Sequence, residues 1–162
     1  MRKTALFLAA ILLALSCCTA LASTAPDAFS YEGTYIPFAA HNFQIYLPND
    51  WVVYETVDGS FVVNDAENAR ILHIMIFENA DAYTLETLLA DYRADGDYAA
   101  VSPVYHAGIP FVSFVNPADD TYGSITISGD DAFLYFFLFS PYSDEAFHDL
   151  SAEIMSSLTS LK

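Results

Sequence analysis

Ala132-Phe133-Leu134-Tyr135-Phe136-Phe137-Leu138-Phe139 is a run of apolar residues between two breakers, Gly129-Asp130-Asp131 before it and Pro141 after it. A strand with one wet face alternates apolar and polar residues. This one does not alternate, so both of its faces need cover. The run predicts the central strand of a sheet. Phe133, Tyr135, Phe137 and Phe139 would face one layer, and Leu134, Phe136 and Leu138 the other.

Outward from that strand the pattern changes period. Downstream, Phe147, Leu150, Ile154, Leu158 and Leu161 form one stripe of a closing helix. Upstream, Tyr122 to Ile127 reads as a strand, preceded by a polar loop from Asn116 to Asp120. Val101 to Tyr105 and Phe111 to Val115 are two more, joined at Gly108-Ile109-Pro110. Leu85, Leu88, Leu89 and Tyr92 share a helix face. Thr84 is placed to cap its start, and Gly96 to end it in a left-handed conformation. Further back, Phe43, Ile45 and Leu47 alternate with Gln44 and Tyr46, the mark of a half-buried strand. Pro48-Asn49-Asp50 breaks it, and Trp51 to Glu55 resumes an extended pattern. Asp58-Gly59 suits a hairpin turn into Ser60 to Val63. Asn64 to Asn68 is a loop and Ile71 to Phe77 a strand. The predicted class is α+β, a mostly antiparallel β-sheet with helices packed on it.

Three of these pieces also resemble the PsbP-like family, which takes in DcrB-type bacterial proteins and a Ran-binding nuclear factor. Phe43-Gln-Ile-Tyr-Leu-Pro-Asn-Asp-Trp51 is similar to its opening strand and Pro-x-x-Trp turn. Gly108-Ile-Pro-Phe-Val-Ser-Phe114 resembles its Gly-x-Pro strand. Ala132 to Phe139 with the helix carrying Ile154 and Ser157-Leu158 resembles its last strand and terminal helix. The resemblance spans residues 35–162 and implies an αβα sandwich. Members are mostly accessory or binding proteins without catalysis, and no family binding residue has a counterpart here.

The amino-terminal segment predicts export. Arg2 and Lys3 precede an unbroken apolar run from Ala5 to Leu15, and Ala20-Leu21-Ala22 forms a small-residue cleavage site before Ser23. The run is shorter than the roughly 20 residues that span a bilayer. Residues 1–22 thus read as a secretory signal, 23–34 as a flexible leader and 35–162 as one domain. Both cysteines, Cys17 and Cys18, lie in the signal. Plain secretion leaves the mature domain without a thiol. The alternative is a lipid anchor at Cys17 or Cys18, although the residues before them depart from a lipoprotein motif. The protein would be extracellular or periplasmic either way.

Charge excludes whole classes of partner. The chain has 5 Lys and Arg against 21 Asp and Glu. Loss of residues 1–22 leaves Arg70, Arg93 and Lys162 as the only cations of a strongly acidic domain. Nucleic acid binding draws on clustered Lys and Arg, and so does binding to anionic lipid. Disorder is excluded by 54% apolar and 15% aromatic residues.

No motif reaches a specific chemistry. There is no Gly-x-Ser-x-Gly elbow, no phosphate-binding Gly-rich loop and no His-Glu-x-x-His pair. His41, His73, His106 and His148 are far apart, and His73, inside Ile71-Leu-His-Ile-Met-Ile76, reads as a neutral histidine hydrogen-bonded within a sheet. Asp119-Asp120, Asp130-Asp131 and Asp144-Glu145 bring oxygen ligands into turns, but turn chemistry and helix N-terminal charge explain each pair. Asp91, Asp95, Gly96 and Asp97 echo a calcium loop that Arg93 and Ser102 break. Trp51 and the tyrosines could offer platforms to sugar rings, with Tyr31, Tyr35, Tyr98 and Tyr122 expected to be the exposed ones. The reading is a non-catalytic accessory or binding domain for an unknown protein or small ligand. No catalytic, cofactor or metal residue is assigned, and a glycan- or calcium-binding module is the alternative, ahead of a hydrolase.

Overall fold

The computed structural model describes residues 29–65 and 69–160. The expected signal with Cys17 and Cys18, residues 23–28 and Leu161 lie outside them.

The chain opens with β1 (Gly33–Phe38), a short 3-10 turn (Ala39–His41) and β2 (Phe43–Pro48). Next come β3 (Trp51–Glu55), β4 (Phe61–Asp65) and β5 (Ile71–Glu78), then helix α1 (Leu85–Ala94). Four strands follow, β6 (Ala99–His106), β7 (Ile109–Asn116), β8 (Thr121–Ile127) and β9 (Phe133–Ser140). Helix α2 (Glu145–Ser156) and the two-residue β10 (Thr159–Ser160) close the chain. The strands form a small sheet in the order β1-β2-β10 and a large one in the order β3-β4-β5-β9-β8-β7-β6. All pairings are antiparallel, and β9 stands at the middle of the large sheet, where its sequence puts it.

Two apolar clusters lie on opposite faces of β9. One unites Phe137 and Phe139 with Leu72 and Ile74 of β5, Ile45 and Leu47 of β2, and Phe147, Ile154 and Met155 of α2. The other joins Leu134 to Val112 and Phe114 of β7, Ile125 of β8 and Leu88 of α1. One face of the large sheet is thus covered by α2 together with the small sheet, and α1 packs on the opposite face.

Several boundaries differ from the sequence reading. The stretch through Thr34, read as leader, ends in ordered contacts. Ser30 donates from both its amide and its hydroxyl to the Glu153 carboxylate, each at 2.9 Å, and the Tyr31 hydroxyl donates to the Tyr46 carbonyl. The strand β1 starts at Gly33, pairing with Pro48, where a Cβ would stand 2.3 Å from the Leu47 carbonyl oxygen. Pro37 hides this strand from a periodicity reading, but β1 is an edge strand, where a missing amide is tolerated.

Helix α1 has the predicted cap. The Thr84 hydroxyl accepts from the Thr87 amide and the Thr87 hydroxyl accepts from the Thr84 amide. Its end is not left-handed, since Asp95 caps it in an extended conformation and Gly96 has no positive φ. Helix α2 stops at Ser156, short of Leu158 and Leu161. The Ser157 hydroxyl donates to the Ile154 carbonyl and accepts from the Tyr46 amide at 2.8 Å, which fastens the helix end to β2. Leu158 is still buried, from the turn beyond the helix. The turn between β6 and β7 is Ala107-Gly108, both at positive φ, so Pro110 lies within β7.

The two edges of the large sheet are unlike. The strand β6 carries Pro103 and a register irregularity between Ala99 and Ser102. The strand β3 pairs with β4 in unbroken register from Trp51 to Glu55 and has no proline.

Candidate functional site

Register decides which side chains share a face. On the α1 side of β9 stand Leu134, Phe136 and Leu138, and opposite them on β5 are Phe77, Met75 and His73. Val62 of β4 pairs with His73, and Asn64 with Ile71. Tyr54 and Val52 of β3 pair in turn with Val62 and Asn64. One continuous surface therefore runs from β9 to the sheet edge, and most of it is apolar.

Cover over this surface is uneven. Helix α1 packs on β6 and β7, and its leucines reach β8 and β9. Over β3, β4 and β5 no described helix lies. Tyr54 is 53% exposed, Phe77 49%, Val52 42% and Ile71 38%. The Phe77 ring meets Phe136 edge-on at 5.4 Å, which links the open strip to the covered part. Leu134 is buried, but Phe136 and Leu138 are only half-buried. The expectation that both sets of β9 side chains are fully buried holds at Phe137 and Phe139 on the α2 side and at Leu134 on the other, and fails at Phe133, Tyr135, Phe136 and Leu138, which are half-buried.

His73 and Ser60 sit within this strip. The His73 Nε2 lies 3.0 Å from the Ser60 hydroxyl, which also contacts the Thr56 hydroxyl and the Asp58 carboxylate. Serine, histidine and carboxylate come together, but in the wrong order for a hydrolase. The carboxylate contacts the serine rather than orienting the histidine. Ser60 is also buried, at 5% exposure, so its hydroxyl is not presented to a substrate. The cluster holds the β3–β4 turn. Hydrogen bonds from Thr56 and Ser60 lower the Asp58 pKa to about 2.

The other histidines are dispersed. His41 lies between the rings of Phe61 and Tyr135, and exposed His148 stands edge-on to Tyr122 and Tyr142. His106 is buried against Phe111, and its Nε2 has no hydrogen-bond partner. Burial lowers its pKa.

The acidic pairs serve their turns. Asp120 accepts from the Ser143 amide and hydroxyl, and Asp130 from the Ser128 hydroxyl and the Ala132 amide. Asp144 caps α2 through the Phe147 amide and forms an ion pair with Arg70 at 2.7 Å. Among the described residues no group of three or more His, Cys, Asp or Glu is placed to hold a metal ion.

The tyrosine reading needs correction. Tyr31, Tyr35, Tyr98 and Tyr122 are all half-buried. Tyr31 and Tyr35 pack on Tyr46, Tyr98 on Tyr92 and Phe114, and Tyr122 against Ser113 and Ser124. The exposed ones are Tyr54, Tyr105 and Tyr142, all outside the set expected from loop position. Trp51 packs on Phe147 and presents no free platform.

A groove of about 1120 Å³ opens at one end of the sandwich, between the β6–β7 and β8–β9 turns, the loop before α1 and the 3-10 turn. Several polar groups around it hold its own walls. Asn79 bonds the Tyr83 amide and the carbonyls of Tyr83 and Asp131, Thr126 donates to the Pro110 carbonyl, and Tyr135 to the His41 carbonyl. The open strip is therefore the stronger candidate.

The protein has a PsbP-like α+β fold. It is similar to the solution structure of cyanobacterial PsbP (CyanoP) from Synechocystis, with a TM-score of 0.57 and 14% identity over 83% of this chain and 95% of that one. A crystal structure from Bacteroides thetaiotaomicron has a TM-score of 0.56 and 17% identity over 80% of this chain, which spans 49% of that chain. No protein-family model and no curated protein matches the sequence. Among the described residues no helix is long and apolar enough to cross a membrane.

Proposed function

We propose that the protein is an exported, non-catalytic accessory domain that binds a protein partner through the open strip over β3, β4 and β5. The carrying observation is the exposure of Val52, Tyr54, Ile71 and Phe77 on one continuous sheet face. Scattered apolar side chains are ordinary on a surface, but a contiguous patch of them marks an interaction site. The excess of 21 acids over 5 cations turns this face away from phosphate-bearing partners and leaves protein as the fitting class. The buried Ser60 and the misordered Asp58–Ser60–His73 cluster support the non-catalytic part of the reading.

Site-specific crosslinking in the host cell tests it. A photoreactive phenylalanine analogue at Phe77 or Tyr54 is expected to form an adduct with a second protein, and the same probe at exposed Ala152 of α2 is not. Equal adducts at all three positions, or none at Phe77 and Tyr54, would overturn the reading. Intact mass of the exported protein tests the other half. A mass starting at Ser23 is expected for free secretion, and a diacylglycerol adduct on Cys17 or Cys18 identifies a surface-tethered form. Retention of the whole signal would overturn export by cleavage.

A further inference from the structure

We infer that the partner element seated on the open strip is a cationic amphipathic helix, lying beside α1 in the vacant half of the outer layer. The inference rests on the docking reading above and names its chemistry.

Shape is the first argument. Strands lie about 4.8 Å apart, so β3 to β5 measure about 10 Å from outer strand to outer strand. That is the diameter of one helix with its side chains. Along β5 the α1-side residues run from Ile71 to Phe77, about 20 Å, which a helix of about 13 residues matches at 1.5 Å per residue. The sheet already receives one helix on this face, and α1 leaves the β3–β5 side free. A strand added at the β3 edge would use backbone groups and leave exposed Ile71 and Phe77 of β5 uncovered.

Charge is the second argument, and it is local. Glu55 ends β3, Asp58 lies in the β3–β4 turn and Glu78 ends β5, with Asp81 just beyond it. The register sets Glu55 with Phe61 and Glu78 with Phe133 on the α2 face, so the acids that flank the Tyr54 and Phe77 end of the strip are Asp58 and Asp81 of the loops, with Glu55 and Glu78 at the same end on the opposite face. All four are exposed. Arg70 is at the far end, committed to Asp144 and lying over the Phe147 ring on the α2 side. A second copy of this acidic chain would meet the strip with like charge. An apolar helix face flanked by Lys and Arg meets it with opposite charge, which adds to both affinity and association rate.

The probe is a fluorescent Leu/Lys peptide of about 14 residues with all its leucines on one helix face, titrated into the exported protein. Micromolar binding is expected. It should weaken about tenfold or more for the Tyr54→Ser/Phe77→Ser double variant, for a peptide of the same composition in scrambled order, and for the Leu/Glu counterpart. Equal binding of the scrambled peptide or of the double variant would reduce the effect to bulk charge and overturn the inference. Equal binding of the Leu/Glu peptide would overturn its cationic part. A dimer of the exported protein that the double variant dissociates would assign the strip to a second copy. If the in-cell adduct at Phe77 forms and the Leu/Lys peptide fails to bind, docking stands and the helix falls. If neither occurs, both fall.

Discussion

The two faces of β9 are built from similar residues and end differently. On the α2 side Phe137 and Phe139 meet a helix and a second sheet, and they lie with Leu72 and Ile74 in the buried core. On the α1 side Phe136 and Leu138 receive partial cover, and Phe77 of the neighbouring strand is half in water. Apolar sequence therefore tells which residues are to be covered and not whether this chain does all the covering. A single helix about 10 Å wide spans three strands, whereas seven strands span about 29 Å. The shortfall on the α1 side follows from that arithmetic.

The largest test of the contrast is Phe137→Ala. Its side chain is 1% exposed, and emptying the site is expected to cost about 3–5 kcal/mol in urea denaturation. A cost below that of Phe136→Ala would break the comparison. The covered part of the α1 side can be probed from within at Gly123. A Cβ there would stand 2.2 Å from the Phe114 ring, itself held by Tyr92 and Tyr98. Gly123→Ala is expected to cost about 1–3 kcal/mol through overpacking, measured the same way. Phe136→Ala, at a half-buried site, is expected to cost about 1–2 kcal/mol.

His106 sharpens the α2 side through pH. Burial lowers its pKa from 6.5, so the unfolded chain takes up the proton more readily than the folded one. Its contribution is fully present above pH 6.5 and is lost as pH falls towards the folded value. Thermal melts of His106→Leu should lack this part of the wild-type decline between pH 7 and pH 5, and an unchanged decline would assign it to other groups. Smallest of all, Tyr54→Ser and Phe77→Ser should shift stability by no more than about 0.5 kcal/mol each. A larger loss would mean that the strip is packed by the chain itself.

Much of the fold is legible in residue order. The run from Phe133 to Phe139 locates the sheet centre, Thr84 locates the start of α1, and alternation locates β2. Misses occur where one residue serves a neighbour in space. Ser157 ends α2 by bonding β2, a partner more than a hundred residues away that no local period reveals. The strand β1 is not legible in the sequence, since Pro37 interrupts its pattern and is tolerated only because the strand is an edge. The open strip had a signal in the stretch from Ile71 to Phe77, apolar on both faces except at His73, which asks for cover on both sides. Loop position misidentified the exposed tyrosines because Tyr31, Tyr35, Tyr98 and Tyr122 pack on neighbouring rings or hydroxyls, whereas Tyr54 points outward from a strand.

The unlike edges of the large sheet bear on how the protein behaves in concentrated solution. Pro103 and the irregular register blunt β6, but β3 offers an unbroken row of backbone donors and acceptors beside exposed Val52 and Tyr54. Mutual repulsion between acidic molecules guards that edge at neutral pH. The guard fades as pH falls into the ordinary carboxylate range and the acids take up protons. Acidification should therefore seed self-assembly at β3, edge to edge, before the core has melted.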